Sequence, residues 1–280
     1  MDRSRGRVRG ETARLAQSLG RGLDILEAFT RERPELGVTE LGVRLGLAKS
    51  TVHRLLATLR VRGYVRKNPR SGKYRLGIRP WEVGRIAAGQ FGYPETSRPS
   101  LERLAREAAG TAHLAILDEG EVVYLARVDG TPPVHADAPV GGRVPAHAVS
   151  TGRALLAFLD PETLRKVVAR GLRRFTPATV ADEVKLREEL EAVRVTGYAV
   201  TVGEWRAEVG GISAPVQDES GEVVAAIGLT VAATELQPGP IETLVPLVKE
   251  TARQISRGLG FPGDVPVGAG PDPAGGPASA

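Results

Sequence analysis

Apolar residues recur three and four positions apart in the first third of the chain, then alternate through much of the middle and last thirds. Leu19, Leu23, Leu26 and Phe29 share one helical face and predict a helix over about 16–31. Pro34 and Gly37 break the chain after it. Val38, Leu41 and Leu45 line a short second helix. Gly42 sits inside that helix, where glycine costs about 1 kcal/mol against alanine, so its presence points to close helix packing. Gly46 supplies the left-handed conformation that ends a helix, and Leu47 plugs the core from the turn. A third helix is expected from Lys49 to Arg62, with Val52, Leu55, Leu56 and Leu59 inward and Lys49, Ser50, His53, Arg54 and Ala57 outward. "YVRKNPRSGKYRL" then predicts two strands, Tyr64-Val65 and Tyr74 to Leu76, about the turn chemistry of "NPRSG".

Ile78, Trp81, Val83 and Ile86 continue a helical pattern over 77–93, and Trp81 is expected to pack, as aromatics at helical spacing usually do. Helix 95–109 follows, with Leu101, Leu104, Ala105 and Ala108 on one face and Gly110 as its stop. The period then changes to two. "TAHLAILDEGEVVYLARVDG" (111–130) predicts a hairpin turning at "DEGE", and "PVHADA" (133–138) a short strand. "PAHAVSTGRALLAFLDPETLRKVV" predicts a loop and two helices, the second with Asp160 as N-cap and Pro161 at its first position. Residues 182–195 form a charged amphipathic helix; strands return in "GYAVTVGE" and "VGGISAPVQDESGEVVAAIGLTVAA", and a last helix spans about 239–259. This order of elements predicts an α+β domain with a mainly antiparallel sheet.

Length and charge sharpen this picture. The chain has 280 residues, enough for about two domains. Its net charge of +5 hides an asymmetry: residues 1–80 hold 19 basic and 7 acidic side chains, a net +12, and the remainder is net −7. A polyanion partner is implied for the first domain only. Arg3, Arg5, Arg7 and Arg9 lie in a leading arm, and much of the rest of the positive charge lies between Arg44 and Arg79. There is no cysteine, which excludes disulfides and thiol chemistry and fits a reducing cytoplasm. No run of about 18 apolar residues exists, so no membrane span is expected, and no signal-peptide core follows the basic start. From Phe261 the chain is rich in proline, glycine and alanine, and is expected to be a disordered tail.

Two short helices joined by a tight turn, the second exposing small polar and basic side chains near its N-terminus, make a helix-turn-helix. Lys49, Ser50, Thr51, His53 and Arg54 are its candidate DNA contacts: long basic groups reach phosphates and guanine edges, and short hydroxyls let the helix sink into the major groove. The hairpin that follows is a wing carrying Arg66, Lys67, Arg70 and Lys73. "LGLAKSTVHRLLATLRVRGYV" with "SGKYRLG" strongly resembles the winged helix-turn-helix of the IclR family of bacterial transcription regulators, over residues 17–90. Pro145 and His147 with "STGRALLA", and "GYAV" with "GGISAPVQDESGEVVAAIGLT", resemble the family's effector-binding domain over about 95–258. The resemblance implies a basic arm (1–15), a winged helix-turn-helix domain (16–77), a linker helix (78–94), a GAF-like antiparallel-sheet domain for effector binding and oligomerisation (95–260), and the tail (261–280).

The partners implied are a double-stranded DNA operator, a small-molecule effector and a second or further copies of the chain, as a homodimer or homotetramer. Carried over by position, the effector pocket includes Ser150, Thr151, Gly152, Thr201, Gly211, Gly228 and Thr230. Family members that hold very small oxo-acids tend to place Asp, Cys and Ser where this chain has Thr201, Gly211 and Gly228, so a roomier pocket is expected. The residues themselves support a binding loop at "VSTG": helix-start N–H groups attract an anionic or carbonyl end, and Ser150 or Thr151 either adds a donor or caps the helix. An organic acid or other oxygenated metabolite fits. Ser150 and His147 invite a nucleophile and base reading, but no G-x-S-x-G elbow or phosphate-cradling glycine loop accompanies them, so no enzyme is expected. His147 is expected to be buried and hydrogen-bonded. His113, His135 and His147 show no H-E-x-x-H spacing, and no metal or other cofactor is assigned.

Overall fold

The computed structural model describes residues 16–30, 32–130 and 139–263. The expected arm at 1–15, the strand at 133–138 with His135, and the tail beyond 263 lie outside the described residues. The chain divides into two compact units between Phe91 and Gly92.

The first unit opens with helices α1 (Gln17–Glu27), α2 (Val38–Leu45) and α3 (Lys49–Val61). Ile25, Leu41, Val52, Leu56 and Val65 are fully buried at their centre. On α1 the buried face is Gly22 and Ile25, continued by Ala28 and Phe29, while Leu19 and Leu23 are 64% and 49% exposed. Of the expected face, Leu26 and Phe29 pack in the core, whereas Leu19 and Leu23 mark an apolar side that the described residues leave exposed. Gly46 ends α2 in the left-handed conformation (φ 65°), as the sequence predicts. A Cβ on Gly42 would lie 2.9 Å from the Leu47 carbonyl oxygen, which is the close approach its glycine permits. Strands β1 (Val65–Lys67) and β2 (Tyr74–Leu76) form the wing. Leu36 adds a bridge to Tyr74 through paired backbone hydrogen bonds of 2.9 and 2.8 Å, so the segment between α1 and α2 joins the wing sheet. Helix α4 (Arg79–Phe91) follows. Trp81 is 62% exposed there, with the Arg85 guanidinium over its ring; it is not core in this chain, contrary to expectation.

The second unit is a six-stranded antiparallel sheet in the order β5-β4-β3-β8-β7-β6. Its strands are β3 (Thr111–Asp118), β4 (Glu121–Val128), β5 (Arg143–Pro145), β6 (Ala199–Val202), β7 (Val209–Gln217) and β8 (Val223–Ala232). Glu119 and Gly120 turn the first hairpin at φ 50° and 83°, the conformation that tight two-residue hairpins need. Alternation, interrupted by a bulge at Leu125 in β4, splits the sheet into two apolar faces. Ala112, Leu114, Ile212, Ile227 and Leu229 pack with α5 (Tyr93–Glu107) and α9 (Pro240–Gly258). On the other face, Ala115, Val122, Tyr124 and Ala226 pack with α6 (Ser150–Leu156), α7 (Pro161–Val168) and α8 (Glu183–Thr196). Asp160 caps α7, its carboxylate accepting from the Glu162 and Thr163 N–H groups at 3.0 Å each. Among the described residues no helix is long and apolar enough to cross a membrane.

Candidate DNA-binding surface and effector site

Helix α3 begins at Ala48 without a side-chain cap, leaving helix-start N–H groups open to a phosphate. Lys49, Ser50, His53 and Arg54 are exposed on that first turn and a half, while Thr51 is half-buried. The wing adds Arg66, Lys67 and Arg70, all exposed. Arg66 stands directly opposite Arg75 in the β1/β2 register. Like charges facing each other across a hairpin are destabilising, and a polyanion relieves that cost. Arg75 was not singled out in the sequence; the register of the hairpin places it. Lys73 is different. Its Nζ pairs with Glu40 at 3.0 Å, tying the wing to the start of α2.

The wing tip is braced by acid. Asn68 Nδ2 and Ser71 Oγ donate to the two Glu35 carboxylate oxygens at 2.8 and 3.0 Å. These hydrogen bonds hold the Glu35 carboxyl below the usual range, with Arg75 and Lys73 adding to the effect. Asn68 Oδ1 in turn accepts from the Arg70 N–H at 2.9 Å, and Gly72 closes the turn at φ 68°.

In the second unit the sheet register gathers residues scattered over 120 positions of sequence. Thr201, Gly211, Thr230 and Thr111 form one transverse row across β6, β7, β8 and β3. Ser213, Gly228, His113 and Arg127 form the adjacent row across β7, β8, β3 and β4. The first turn of α6 lies over these rows. Ser150 Oγ pairs with Ser213 Oγ at 2.7 Å. A Cβ added to Gly211 would meet Ser150 Oγ at 2.6 Å, and one added to Gly228 would meet the Thr151 methyl at 2.5 Å. The two glycines thus bring the helix start onto the sheet, rather than leaving the roomier pocket expected from their size. Gly152 faces elsewhere: a Cβ there would overlap the Ala146 carbonyl, so this glycine lets α6 turn tightly onto the preceding residues. Thr230 is half-buried at the end of its row.

His113, Tyr124 and Ser213 lie among these residues and were not among the contacts expected from the sequence. Period-two alternation puts His113 on the face of Ala115, and Ser213 two residues beyond Gly211 on the same face. The His113 ring lies 4.9 Å from the Tyr124 ring. Both His113 ring nitrogens are buried without a hydrogen-bond partner among the described residues. Burial, with Arg127 adding and Asp129 opposing, lowers the His113 imidazole to about 3, so it is neutral at any physiological pH. Burial raises the Tyr124 phenol, with its hydrogen bond to the Thr151 hydroxyl opposing. Arg127 is paired with Asp129 at 2.7 Å.

The second turn of α6 is fixed by charge. Arg153 is buried and forms ion pairs with Glu204, in the loop between β6 and β7, and with Glu189 on α8. Its Nε also donates to the His147 carbonyl at 3.1 Å. The Val180 N–H donates to Glu204 at 3.1 Å. His147 is buried as expected, its Nε2 donating to the Arg173 carbonyl at 2.9 Å, and burial lowers its pKa.

A winged helix-turn-helix with an open basic face, joined in one chain to a sheet domain that collects buried polar groups beneath a helix, defines a ligand-responsive DNA-binding regulator. Residues 18–69 match the family model described as the IclR helix-turn-helix domain, and residues 92–257 match that described as the bacterial transcriptional regulator IclR C-terminal domain. The chain is 33% identical to the HTH-type transcriptional regulator XynR of Escherichia coli (strain K12), over 89% of its own length and 99% of that protein. It is 31% identical to the transcriptional repressor IclR of the same organism, over 87% and 90%. Among solved structures, an IclR homolog complexed with 4-hydroxybenzoate from Microbacterium hydrocarbonoxydans superposes with a TM-score of 0.79 at 31% identity, over 86% of this chain and 98% of that one. The chain belongs to the IclR family of bacterial transcription regulators.

Proposed function

We propose that this protein is a cytoplasmic, homo-oligomeric regulator that binds a roughly palindromic operator through α3 and the wing, and releases or reshapes that binding when a small oxygenated organic acid enters the cleft between α6 and the sheet. Lys49, Ser50, Thr51, His53 and Arg54 read the major groove, and Arg66, Lys67 and Arg70, with Arg75, meet phosphates. Lys73 braces the wing through Glu40. The exposed apolar residues Leu19, Leu23, Trp81 and Ile86 suit contacts with a second copy. Ser150, Thr151, Thr201, Gly211, Gly228 and Thr230 line or floor the effector cleft.

The observation that carries this reading is the open basic start of α3 beside a wing in which Arg66 and Arg75 face each other. Catalysis is not part of it. Ser150 is bonded to Ser213 and His147 to a backbone carbonyl, so the two form no nucleophile and base pair. The bound 4-hydroxybenzoate of the Microbacterium homolog supports an aromatic or similar acid as effector here. The test is genome-wide mapping of bound sites, followed by a thermal-shift screen of small acids and operator-binding assays with each hit. Enrichment of two-fold symmetric sites, and a hit that changes operator affinity, are expected. Binding to DNA without site preference overturns the operator reading. Specific binding that no compound alters makes the protein a ligand-independent DNA-binding protein, a reading favoured by the direct contact of α6 with Gly211 and Gly228.

A further inference from the structure

Two polar atoms stand out in the second unit: both ring nitrogens of His113, buried and without a partner among the described residues. Buried polar groups are hydrogen-bonded in the great majority of cases, so a ring with neither nitrogen satisfied calls for an explanation, and the Thr151 hydroxyl beside it, which meets the Tyr124 phenol, has capacity for a second hydrogen bond. They lie close together. His113 faces Gly228 across the β3/β8 register, the Thr151 methyl sits against Gly228, and the Tyr124 ring touches His113 while its phenol neighbours Thr151. The spot is buried between the first turn of α6 and the sheet.

We propose that the effector carries an uncharged hydroxyl that seats between His113 and Thr151, and that His113 is the residue by which this protein distinguishes a hydroxylated ligand from its deoxygenated analogue. This inference rests on the reading of the cleft as the effector site. A neutral imidazole offers one donor and one acceptor, and a threonine hydroxyl offers both. A ligand hydroxyl donates to one and accepts from the other, satisfying both at once. A carboxylate only accepts, and the nearby charged side chains, Arg127 of the same row and Asp129, already neutralise each other. The flat Tyr124 ring beside His113 suits a planar body, so a phenol is the chemistry that fits best. The hydroxyl end is therefore the buried end.

The test uses the full chain and two matched pairs of probes: 4-hydroxybenzoate against 4-methylbenzoate, and glycolate against acetate. Titration calorimetry on the wild type should favour the hydroxyl member of a bound pair by about tenfold or more, because a site built to hydrogen-bond a hydroxyl rejects the analogue lacking it. His113→Phe should keep the methyl member's affinity and lose the preference. Without ligand it should melt at or above the wild-type temperature, since an apolar ring removes two orphaned nitrogens. Thr151→Val, nearly isosteric, should lower the preference in the same direction and serves if His113→Phe does not fold. A preference in the glycolate pair alone would keep the hydroxyl and remove the ring. Binding without a hydroxyl preference, or a preference that survives both substitutions, overturns the inference and leaves the effector reading standing. A wild type that ignores all four probes, but whose operator binding responds to a compound without a hydroxyl, does the same. If no compound changes operator binding, the effector reading falls and the inference falls with it.

Discussion

Arg153 allows a prediction worked from geometry. Its guanidinium is 3% exposed, and its partners Glu204 and Glu189 are 9% and 31% exposed. In Arg153→Met the side chain keeps much of its volume but leaves the Glu204 carboxylate buried with the Val180 N–H as its remaining donor. Breaking a buried pair by removing one partner costs about 3–5 kcal/mol, mostly the desolvation of the charge left behind. For a unit of this size each kcal/mol lowers the melting temperature by about 2–4 °C, so the loss is roughly 6–20 °C at pH 8. The pH dependence gives the argument its sign. Burial already raises the Glu204 pKa, with Arg153 opposing; without Arg153 it rises further. A carboxyl whose folded-state pKa is raised stabilises the fold below its unfolded value, and that contribution is lost as pH rises through the folded value. The variant should therefore recover part of its loss between pH 8 and pH 5, at about 1.4 kcal/mol per unit of pKa difference. Urea unfolding of the full chain at both pH values measures this. A loss below about 1 kcal/mol, the range of exposed pairs, or an equal loss at both pH values, would show that Arg153 does not hold a buried charge.

The other predictions concern the two sites. Arg54→Ala should weaken operator binding by about 1–3 kcal/mol if the side chain reaches a base edge, whereas Lys67→Ala or Arg70→Ala should weaken all DNA binding alike and flatten its salt dependence; unchanged affinity in all three variants at physiological salt removes the groove assignment. Glu35→Ala takes a negative charge away from a DNA-facing wing yet should weaken binding, because Asn68 and Ser71 lose their brace; tighter binding in a gel-shift assay would show that Glu35 acts only by charge. Gly228→Ala puts a methyl 2.5 Å from the Thr151 methyl and should destabilise the second unit by about 1–3 kcal/mol. Adding Thr151→Ser removes that methyl and should restore most of the melting temperature; no recovery would mean that α6 does not rest on the glycine.

The DNA-binding elements were legible because their cues are local. Leucines three and four apart, Gly46 and "NPRSG" set α2, α3 and the wing without help from distant residues. The errors there have one cause. Leu19, Leu23 and Trp81 carry the apolar pattern of packed residues but are exposed in this chain, and periodicity cannot tell a core face from a face awaiting a partner. The Leu36 bridge was invisible because it pairs across 38 residues with Tyr74. The proposed effector site was expected partly from the helix-start loop at "VSTG" and, for its strand residues, through family resemblance. Nothing in the local sequence says that Gly211 lies beside Thr230 or that Gly228 lies beside His113; sheet register decides it, and register is a long-range property. Alternation did contain the missing residues, since it puts His113 on the α6 face of β3, but naming it required knowing what lay opposite.

The two ends of α6 are held by different physics, and this bears on how a ligand acts. Its second turn is fixed by Arg153 to two other elements. Its first turn rests on the sheet through Thr151 and Ser150 over two glycines, a contact of a few atoms. Lifting that first turn loses roughly one methyl's burial, about 0.8 kcal/mol, and the Ser150 to Ser213 bond, about 0.5–1.5 kcal/mol net. Against this, the His113 nitrogens stay unsatisfied beneath the seated turn, a cost of about 1–3 kcal/mol each that a hydrogen-bonding ligand would remove. The two quantities are of similar order, so such a ligand can offset displacement of the first turn while the Arg153 anchor holds the second. A ligand shifts the balance between seated and displaced turns only by its preference for one form. One that satisfies His113 and Thr151 has that preference, because the seated helix leaves it no room.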